Sequence, residues 1–336
     1  MSEVITQTNS EYTAVRGGGA GLIDLSSRGR MIVGGSEAVM FLNGLITNDM
    51  KTLARDSWMP AAFCNVQGRL LAVVRVLNLN RNDRFLLDTE PATHSKVLEV
   101  LSRFTLAGDF RVTDATEEIA TLSVQGRGAA NTMGAVFGDV ADNLERGKVL
   151  TAPFGESTVT IICATHTAEA GFDIFVDVNK AGQLQRVLTD AGAVVVSEGV
   201  SETLRIEAGI PRYGIDMDET TVLNEANLDD AVSFTKGCYI GQEIVVRIMH
   251  RGHVAKKITG LVFAGQTPES GTKVLSENDQ EIGRVTSSTA SPRLQRALAL
   301  AYVKYDYLAP GTKIKVANTT GVVKELPFIR GSWYAG

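Results

Sequence analysis

The chain has 336 residues, 44% hydrophobic and 21% charged, with a net charge of −5 at pH 7 and a pI near 5.5. This length suffices for two or three domains of ordinary globular composition. The acidic balance argues against a general nucleic-acid binder, and no apolar run reaches the ~20 residues of a membrane span. The first residues lack a basic stretch followed by an apolar one, so we expect no signal peptide. Cys64, Cys163 and Cys238 lie far apart, which suits a reducing cytoplasm and gives no support for a disulfide or zinc framework.

The first part of the chain is predicted as short strands and helices. Residues 1 to about 18 are polar and lack the features of a phosphate loop, so we expect a flexible lead-in. Ser36 is predicted to cap a helix that ends at Leu45, with Val39, Met40 and Leu42 facing inward. Cys64 and Cys163 are placed in apolar strands. The predicted strands are 21–26, 29–35, 58–65, 70–77, 85–88, 112–114, 120–124, 158–164 and 194–196.

Helical spacing recurs between these strands, at 91–101, 129–137, 180–191 and 201–208, the last with Ser201 as a plausible N-cap. This mixture of βαβ-like alternation and hairpins suggests an α+β core. After about residue 255 the pattern changes to short strands separated by turn residues, which is typical of a small antiparallel barrel or sandwich. The strands predicted there are 258–263, 272–275, 281–286, 297–303 and 312–316.

The most informative stretch is the octapeptide Lys-Gly-Cys-Tyr-Ile-Gly-Gln-Glu at 236–243. Gly237 and Gly241 allow a tight turn or a close backbone approach. If Cys238 opens a helix, the helix dipole favours its thiolate, and Lys236 adds to that effect. A free cysteine is more often a small buried hydrophobe, and the spacing alone leaves that alternative open.

This octapeptide resembles the signature of YgfZ-type folate-binding proteins, relatives of the glycine-cleavage T-protein that support iron–sulfur enzymes, including some that modify tRNA. The order Asp24-Leu25-Ser26, then Phe41 to Leu45, then Thr47-Asn48-Asp49 also resembles the opening of the T-protein family. The resemblance implies a T-protein-like folate-binding module of mixed sheets and helices at 20–254, made of two α+β subdomains, and a C-terminal antiparallel β-barrel at 255–336. It also implies that Cys238 is a functional thiol. The other motif residues are Lys236, Gly237, Tyr239, Gly241, Gln242 and Glu243.

A second stretch, from Thr165 to Phe175, resembles the T-protein motif whose glutamate contacts the pterin ring of folate. The resemblance implies that Glu169 anchors the pterin, a task that suits a carboxylate because it accepts two hydrogen bonds. Without the resemblance, Glu169 is read as a solvated loop residue. The departures from the motif are Thr165 and Ala168 for Gly, His166 for Tyr and Asp173 for Glu.

A third stretch, from Leu204 to Asp216, is similar to a further T-protein segment and implies that Arg205 lies near the folate. A surface salt bridge of Arg205 with Glu202 is an equally open alternative. Asn48 and Tyr213 are the remaining predicted folate contacts, although Asn48 alone would be read as part of a polar turn.

T-proteins carry an acidic pair where this chain reads Leu70-Leu71-Ala72. The substitution predicts that folate binding survives and that aminomethyl transfer does not. We therefore expect a cytoplasmic tetrahydrofolate-binding protein that supports assembly or repair of iron–sulfur clusters in client enzymes, with no direct nucleic-acid, membrane or metal partner. The alternatives are a folate-dependent aminomethyltransferase or related one-carbon transferase, and a non-folate scaffold that binds an acidic client through a basic cluster. That cluster consists of Arg247, His250, Arg251, His253, Lys256 and Lys257.

Overall fold

The computed structural model describes residues 10–79, 84–106, 108–138 and 144–335. None of the described helices is long and apolar enough to cross a membrane. The α-helices are α1 (10–16), α2 (Ala38–Leu45), α3 (His94–Ser102), α4 (Ala129–Phe137), α5 (Val178–Asp190), α6 (Glu198–Glu207) and α7 (Gln242–Arg251).

The strands form two open sheets and one closed barrel. Strands with one buried face alternate apolar and polar residues, whereas strands buried on both faces are apolar throughout. The strands are β1 (Ala20–Asp24), β2 (Gly29–Gly34), β3 (Ser57–Cys64), β4 (Leu70–Leu79), β5 (Arg84–Thr89), β6 (Arg111–Asp114), β7 (Ile119–Gln125), β8 (Val149–Phe154), β9 (Ser157–Cys163), β10 (Gly171–Asp177), β11 (Ala193–Val195), β12 (Lys256–Phe263), β13 (Lys273–Leu275), β14 (Glu281–Ser291), β15 (Arg296–Lys304), β16 (Lys313–Val316) and β17 (Thr319–Lys324).

The first sheet has the order β11-β1-β7-β10-β9-β8, with a parallel pair only at β11 and β1 among its described strands. Its outer face packs on α4 and α5, where Leu184 and Leu188 are fully buried. Strand β10 is buried on both faces along most of its length. Phe172 and Ile174 point to the helices, while Phe175 faces the second sheet.

The second sheet has the order β3-β4-β5-β2-β6 and packs its outer face on α2 and α3. The two sheets are joined by the short connection 25–28 between β1 and β2. Backbone hydrogen bonds also join them, since Trp58 N donates to Gly147 O at 2.8 Å and Val149 N donates to Asp56 O at 2.8 Å. The two sheets therefore form one connected body.

The barrel closes in the order β12-β15-β14-β13-β16-β17 around its own apolar core. Helix α6 attaches the barrel to the rest of the chain. Thr203 Oγ1 lies 2.9 Å from Thr289 Oγ1, and Ser291 Oγ donates to a Glu207 carboxylate oxygen at 2.5 Å. The predicted α+β fold with a C-terminal antiparallel barrel is thus confirmed.

Several local expectations were wrong. Of the flexible lead-in predicted for residues 1 to about 18, residues 1–9 lie outside the described residues. Residues 10–16 are helical instead, because Tyr12 and Arg16 are buried against distant parts of the chain. Ser36 does not cap α2; its backbone N–H and hydroxyl both donate to Asp109 Oδ2 at 2.9 Å. Met40 is 56% exposed rather than inward-facing. Helix α6 starts before Ser201, which therefore lies inside it. Strands β8, β10 and β17 were not predicted as separate elements.

Candidate functional site

A cavity of about 680 Å³ lies where the two sheets, the segment after α6 and the barrel meet. This volume lies in the range of small-molecule and cofactor sites. Strands β3 and β4 form one wall, the loop before β10 a second, and the start of the barrel a third. The polar and aromatic lining residues are Arg28, Trp58, Arg75, Glu90, Thr165, His166, Tyr213, Asn227, Asp229, Asp230, Lys257, Thr259, Glu325, Trp333 and Tyr334.

A row of alternating charges begins on the second sheet. The carboxylate of Asp88 is fully buried, and its Oδ2 accepts from Arg28 Nε and Arg75 Nε at 2.8 Å each. Arg28 also pairs with Glu90 at the cavity rim. Burial alone would raise the pKa of Asp88, but the charges of the two arginines lower it. Asp88 therefore stays ionised and holds both guanidinium groups against the wall.

The row continues across to the first sheet. Arg75 pairs with the fully buried Asp173, which also lies 2.9 Å from His166 Nε2. Burial alone would raise the pKa of Asp173, but the charges of His166 and Arg75 lower it below its usual range. Asp173 thus fixes Arg75 and His166, both of which line the cavity. This row consists of Glu90, Arg28, Asp88, Arg75, Asp173 and His166, and it is called the charge rail below.

Aromatic side chains form much of the remaining wall. Trp58 and Tyr213 line it from one side, Trp333 and Tyr334 from the other. The indole N–H of Trp58 is buried and has no hydrogen-bond partner among the described residues. Tyr213 donates its hydroxyl to Leu70 O at 3.2 Å, and burial raises its pKa to about 12. The cavity therefore offers flat apolar surfaces beside fixed charges.

The start of strand β4, at Leu70 to Ala72, carries no acidic pair. Leu70 and Ala72 are fully buried in the hydrophobic core. The cavity is lined instead by the carboxylates of Asp229 and Asp230, which lie in the segment between α6 and α7. Asp230 is solvent-exposed, and partial desolvation together with the negative charge of Asp229 raises its pKa.

Glu169 lies at 0% exposure and outside the cavity lining. Its Oε1 accepts from Arg16 Nη1 at 3.1 Å, and its Oε2 accepts from the N–H and hydroxyl of Ser332 at 2.7 and 2.8 Å. Ala168 retains a left-handed backbone, with φ of 65°, where the T-protein motif has glycine. At this position the backbone thus adopts the conformation that glycine favours, although the residue is alanine. Direct contact of Glu169 with a pterin stays a prediction.

Arg205 is buried and does not line the cavity. It pairs with Glu202 at 2.5 Å, the partner that the alternative named, and with Asp216 at 2.7 Å, but Arg205 is buried in both pairs, so they do not form a surface salt bridge. Asn48 donates its amide to Pro60 O at 2.9 Å and to Asp230 O at 3.1 Å. Asn48 thereby holds the acidic segment beside the cavity, while the assigned folate contacts of Arg205 and Asn48 stay predictions.

Lys236 anchors the octapeptide. Its ammonium donates to the carbonyl oxygens of Asn43, Ile46 and Asn48 at 2.7, 3.0 and 2.7 Å. Two of these oxygens lie at the C-terminal end of α2, where the helix dipole favours a cation. Burial lowers the pKa of Lys236 to about 8, which leaves the amine protonated at neutral pH. These contacts tie the octapeptide to the second sheet.

The rest of the octapeptide divides into buried and exposed side chains. Tyr239 is buried beneath Lys236, whose ammonium lies 5.2 Å from the ring centroid. Gly241 has φ of 89°, and a Cβ there would meet Asn65 O at 2.6 Å, so only glycine fits. The Gln242 amide donates to the Lys236 and Gly237 carbonyls at 3.3 and 3.4 Å.

Cys238 and Glu243 are exposed, in contrast to Cys64 and Cys163, which are buried. Helix α7 begins at Gln242, so Cys238 does not open a helix and the condition for dipole stabilisation of its thiolate is not met. The anchored neighbours instead present the Cys238 thiol to solvent on a fixed loop.

Members of the predicted basic cluster make different local contacts, and the role of the cluster stays a prediction. Arg247 pairs with Glu243, and His253 stacks on Tyr305 with centroids 4.3 Å apart. Lys257, in strand β12, lines the cavity. Among the described residues no group of three or more His, Cys, Asp and Glu could hold a metal ion.

Two sheets, a barrel and a central cavity between them define the T-protein class of fold. The GCVT N-terminal domain family matches residues 2–236, and the glycine cleavage T-protein C-terminal barrel domain matches 256–327. The chain belongs to this family, whose members use tetrahydrofolate.

Curated relatives bear the name aminomethyltransferase. One from Rubrobacter xylanophilus is 32% identical over 88% of this chain and 78% of the relative. One from Halothermothrix orenii is 28% identical over 96% of this chain and 92% of the relative. The crystal structure of glycine cleavage system aminomethyltransferase T from Bartonella henselae superposes with a TM-score of 0.85, covering 96% and 90% of the two chains at 22% identity. This last likeness shows the fold.

The sequence alone did not predict the charge rail. Its signals are a charged residue inside each of two apolar strands, Arg75 in β4 and Asp88 in β5. These residues stand directly opposite each other in the sheet register, and such a pair can be recognised only once the two strands are aligned.

Proposed function

We propose that this protein binds tetrahydrofolate in the central cavity. The observation that carries the proposal is the cavity itself, of about 680 Å³, in which aromatic walls adjoin fixed charges. Tetrahydrofolate combines a flat ring that bears N–H donors, an aromatic linker and an anionic glutamate tail. A site for it needs aromatic surfaces, hydrogen-bond acceptors and a cation.

The lining residues fit these needs. Trp58 and Trp333 offer flat surfaces for the ring or linker. Asp229 and Asp230 can accept hydrogen bonds from ring N–H groups. Lys257 suits the anionic tail as a flexible point charge. The arginines of the charge rail, in contrast, are already paired with carboxylates.

Calorimetric titration of tetrahydrofolate into the wild type and Lys257→Ala tests this assignment. We expect roughly a threefold to tenfold rise in Kd, since one charge-assisted contact is lost at a partly exposed site. Lys313→Ala is the matched control, because Lys313 lies on the barrel outside this cavity and pairs with Glu277 at 3.8 Å. Absence of binding to the wild type would refute the proposal.

Aminomethyl transfer is the second candidate activity. The names of the curated relatives favour it, and Asp229 and Asp230 provide carboxylates at the cavity. Against it stands the apolar stretch at Leu70 to Ala72, which offers no acid–base group on strand β4. We therefore propose folate binding without aminomethyl transfer. In a reconstituted glycine-cleavage assay the protein should not replace T-protein, and turnover lost in Asp230→Asn would instead establish the transferase.

We further propose that the protein supports iron–sulfur enzymes in the cytoplasm through Cys238, as in the YgfZ-type proteins it resembles. The supporting observation is an exposed thiol on a loop held by the buried Lys236. Cys238→Ser should keep the fold and folate affinity but abolish support of iron–sulfur enzymes in cells that lack the native protein. Cys163→Ser, at a buried thiol, is the control. Full support by Cys238→Ser would exclude the thiol from the function.

A further inference from the structure

We propose that a second cavity, on the outer face of the barrel, binds a phosphate group, either as free phosphate or as the ester of a small molecule. This cavity, called the barrel site below, has a volume of about 570 Å³ and lies between the segment 214–221 and strands β12, β14 and β15. Met217 belongs to its wall and to the wall of the central cavity, so the two cavities adjoin at this residue. The proposal does not depend on folate binding.

The pairing of the barrel strands brings three cations and a tyrosine to one face. Lys256 in β12 stands directly opposite Lys304 in β15, and Arg284 in β14 stands directly opposite Tyr302 in β15. Tyr302 and Lys304 share that face because residues two apart in a strand point the same way. All four line the barrel site. Like charges directly opposite each other in a sheet repel, and an anion bound between the two lysines would remove that repulsion.

The two lysines are only weakly neutralised by the described residues. Lys256 Nζ is 3.9 Å from a Glu225 carboxylate oxygen, and Lys304 Nζ donates to the backbone carbonyl of Glu281 at 3.0 Å. The Glu281 carboxylate lies 3.5 Å from Arg284 and pairs more closely with Lys273, at 2.7 Å. This face of the barrel therefore keeps positive charge available for a ligand.

The other carboxylates of the lining are already engaged within the chain. Asp216 is buried and pairs with Arg205 at 2.7 Å. Asp218 Oδ1 accepts from the N–H and the hydroxyl of Thr220 at 2.8 and 2.6 Å. The groups left to meet a ligand in the barrel site are therefore mainly donors.

Tyr302 supplies a further donor that the described residues leave unused. Tyr302 is 8% exposed, and its hydroxyl is buried without a hydrogen-bond partner among them. The hydroxyl of the neighbouring Thr221 is engaged with Asp218 instead. Burial raises the pKa of Tyr302, so its hydroxyl stays protonated and able to donate. Leaving a buried hydroxyl without a partner is costly, and a ligand in the barrel site would provide one.

A phosphate group matches this set of donors better than a carboxylate does. Phosphate carries a charge of about −2 at neutral pH and three strong acceptor oxygens, whereas a carboxylate offers two oxygens and a single charge. The two lysines, Arg284 and the Tyr302 hydroxyl can be shared among the three oxygens. Ile215, which is 42% exposed, lies in the same lining and offers apolar contact to the organic part of a phosphate ester.

Thermal melting in sodium phosphate, against sodium chloride of equal ionic strength, provides the first test. At a tenfold excess of phosphate over its Kd, the Tm of the wild type should rise by about 3 °C and then approach saturation. Lys256→Gln and Lys304→Gln should each raise the half-saturating phosphate concentration roughly tenfold, since each removes a charge-assisted contact. Lys315→Gln is the matched control, because it removes a barrel charge outside this cavity, where Lys315 pairs with Asp279 at 2.7 Å. A Tm that rises without saturation, or equally in all variants, would be a general salt effect and would overturn the proposal.

Tyr302→Phe separates a ligand contact from a structural role. In phosphate-free buffer its Tm should lie within about 2 °C of the wild type, because the hydroxyl has no partner to lose. Its half-saturating phosphate concentration should nevertheless rise about threefold to tenfold, the usual effect of one lost hydrogen bond. An unchanged response to phosphate would overturn the assignment of this hydroxyl to the ligand.

Glycerol 3-phosphate and glycerol, titrated in the same way, identify the source of the phosphate group. Tighter binding of glycerol 3-phosphate than of inorganic phosphate would assign the barrel site to a phosphate ester, and the reverse order would assign it to free phosphate. Glycerol binding as tightly as glycerol 3-phosphate, or no saturable binding of either phosphate by the wild type, would overturn the proposal. Tetrahydrofolate carries no phosphate group, so these outcomes leave the proposed function untouched.

Discussion

Replacing Arg16 by methionine should destabilise the protein by about 3–5 kcal/mol, the usual cost of leaving a buried charge without its partner. Arg16 Nη2 donates to Glu207 Oε2 at 2.9 Å, and Nη1 donates to Glu169 Oε1 at 3.1 Å and to Thr167 O at 2.7 Å. The Arg16 side chain is 4% exposed, and both carboxylates are 0% exposed. Methionine fills much of the volume but removes the buried cation that both carboxylates share. Glu169 then keeps only the hydrogen bonds from Ser332 and the more distant Arg127 at 3.7 Å, and Glu207 keeps the hydroxyl hydrogen bonds from Tyr12 and Ser291.

Thermal melting followed by circular dichroism measures this loss. At roughly 2 °C per kcal/mol for a chain of this size, the Tm should fall by roughly 6–10 °C at pH 7. The control is Arg103→Met, which removes an exposed ion pair with Glu99 and should cost about 1 kcal/mol or less.

The pH dependence of the same difference adds a second check. Burial alone would raise the pKa of Glu169, but its hydrogen bonds from Ser332 and Arg16 lower it. The contribution of Glu169 is therefore complete above about pH 5 and is lost as the pH falls, so the difference in Tm between wild type and Arg16→Met should narrow from about pH 5 toward about pH 3. A Tm within about 2 °C of the wild type at pH 7, or a loss no larger than that of Arg103→Met, would refute the reasoning.

Three further outcomes follow from the structure. Iodoacetamide followed by mass spectrometry should label the exposed Cys238 faster than Cys64 and Cys163, since burial raises the pKa of those thiols to about 12 and about 11; slowest labelling of Cys238 would contradict this. Ala168→Gly should change stability by less than about 1 kcal/mol, because relief of about 1–2 kcal/mol of left-handed strain is offset by chain entropy and by the loss of a buried methyl group; a fall in Tm of more than about 2 °C would show that the alanine is not strained. The folded-state pKa of Asp173 lies below its ordinary value of about 3.9, so its contribution is complete above about pH 5 and is lost as the pH falls. Tm measured from pH 5 to 3 should accordingly fall less steeply for Asp173→Asn than for the wild type, and parallel curves would count against the ion pairs of Asp173.

Local pattern predicted most elements because apolar runs and turn residues carry that information. Helix α4 has the predicted bounds, 129–137. Helix α1 could not be predicted in this way, since it is stabilised by Arg16 and Tyr12 contacting Glu207, which lies more than 190 residues away. Such pairings depend on the tertiary arrangement and leave no periodic signal.

The site was predictable to a different degree in each part. The octapeptide motif pointed to a loop with an exposed thiol, and the function of that loop stays a prediction. Spacing could not show that Lys236 binds the carbonyl groups at the end of α2 and that α7 starts only at Gln242. The motif around Glu169 located a loop beside the cavity. It could not show that Glu169 accepts a hydrogen bond from Ser332, which lies 163 residues farther along the chain. Contacts between side chains that are distant in the sequence decide which motif residue faces a ligand. A single sequence does not reveal such contacts.

The four-residue connection between β1 and β2 limits how the cavity can admit a ligand. These strands belong to different sheets, and four residues span at most ~14 Å, so the sheets cannot swing apart about this joint. The backbone bonds of Trp58 and Val149 across the same junction reinforce it. We therefore expect the hinge for entry and release to lie on the barrel side, so that hydrogen exchange in the presence of ligand should slow most at residues 331–335 and at the start of β12.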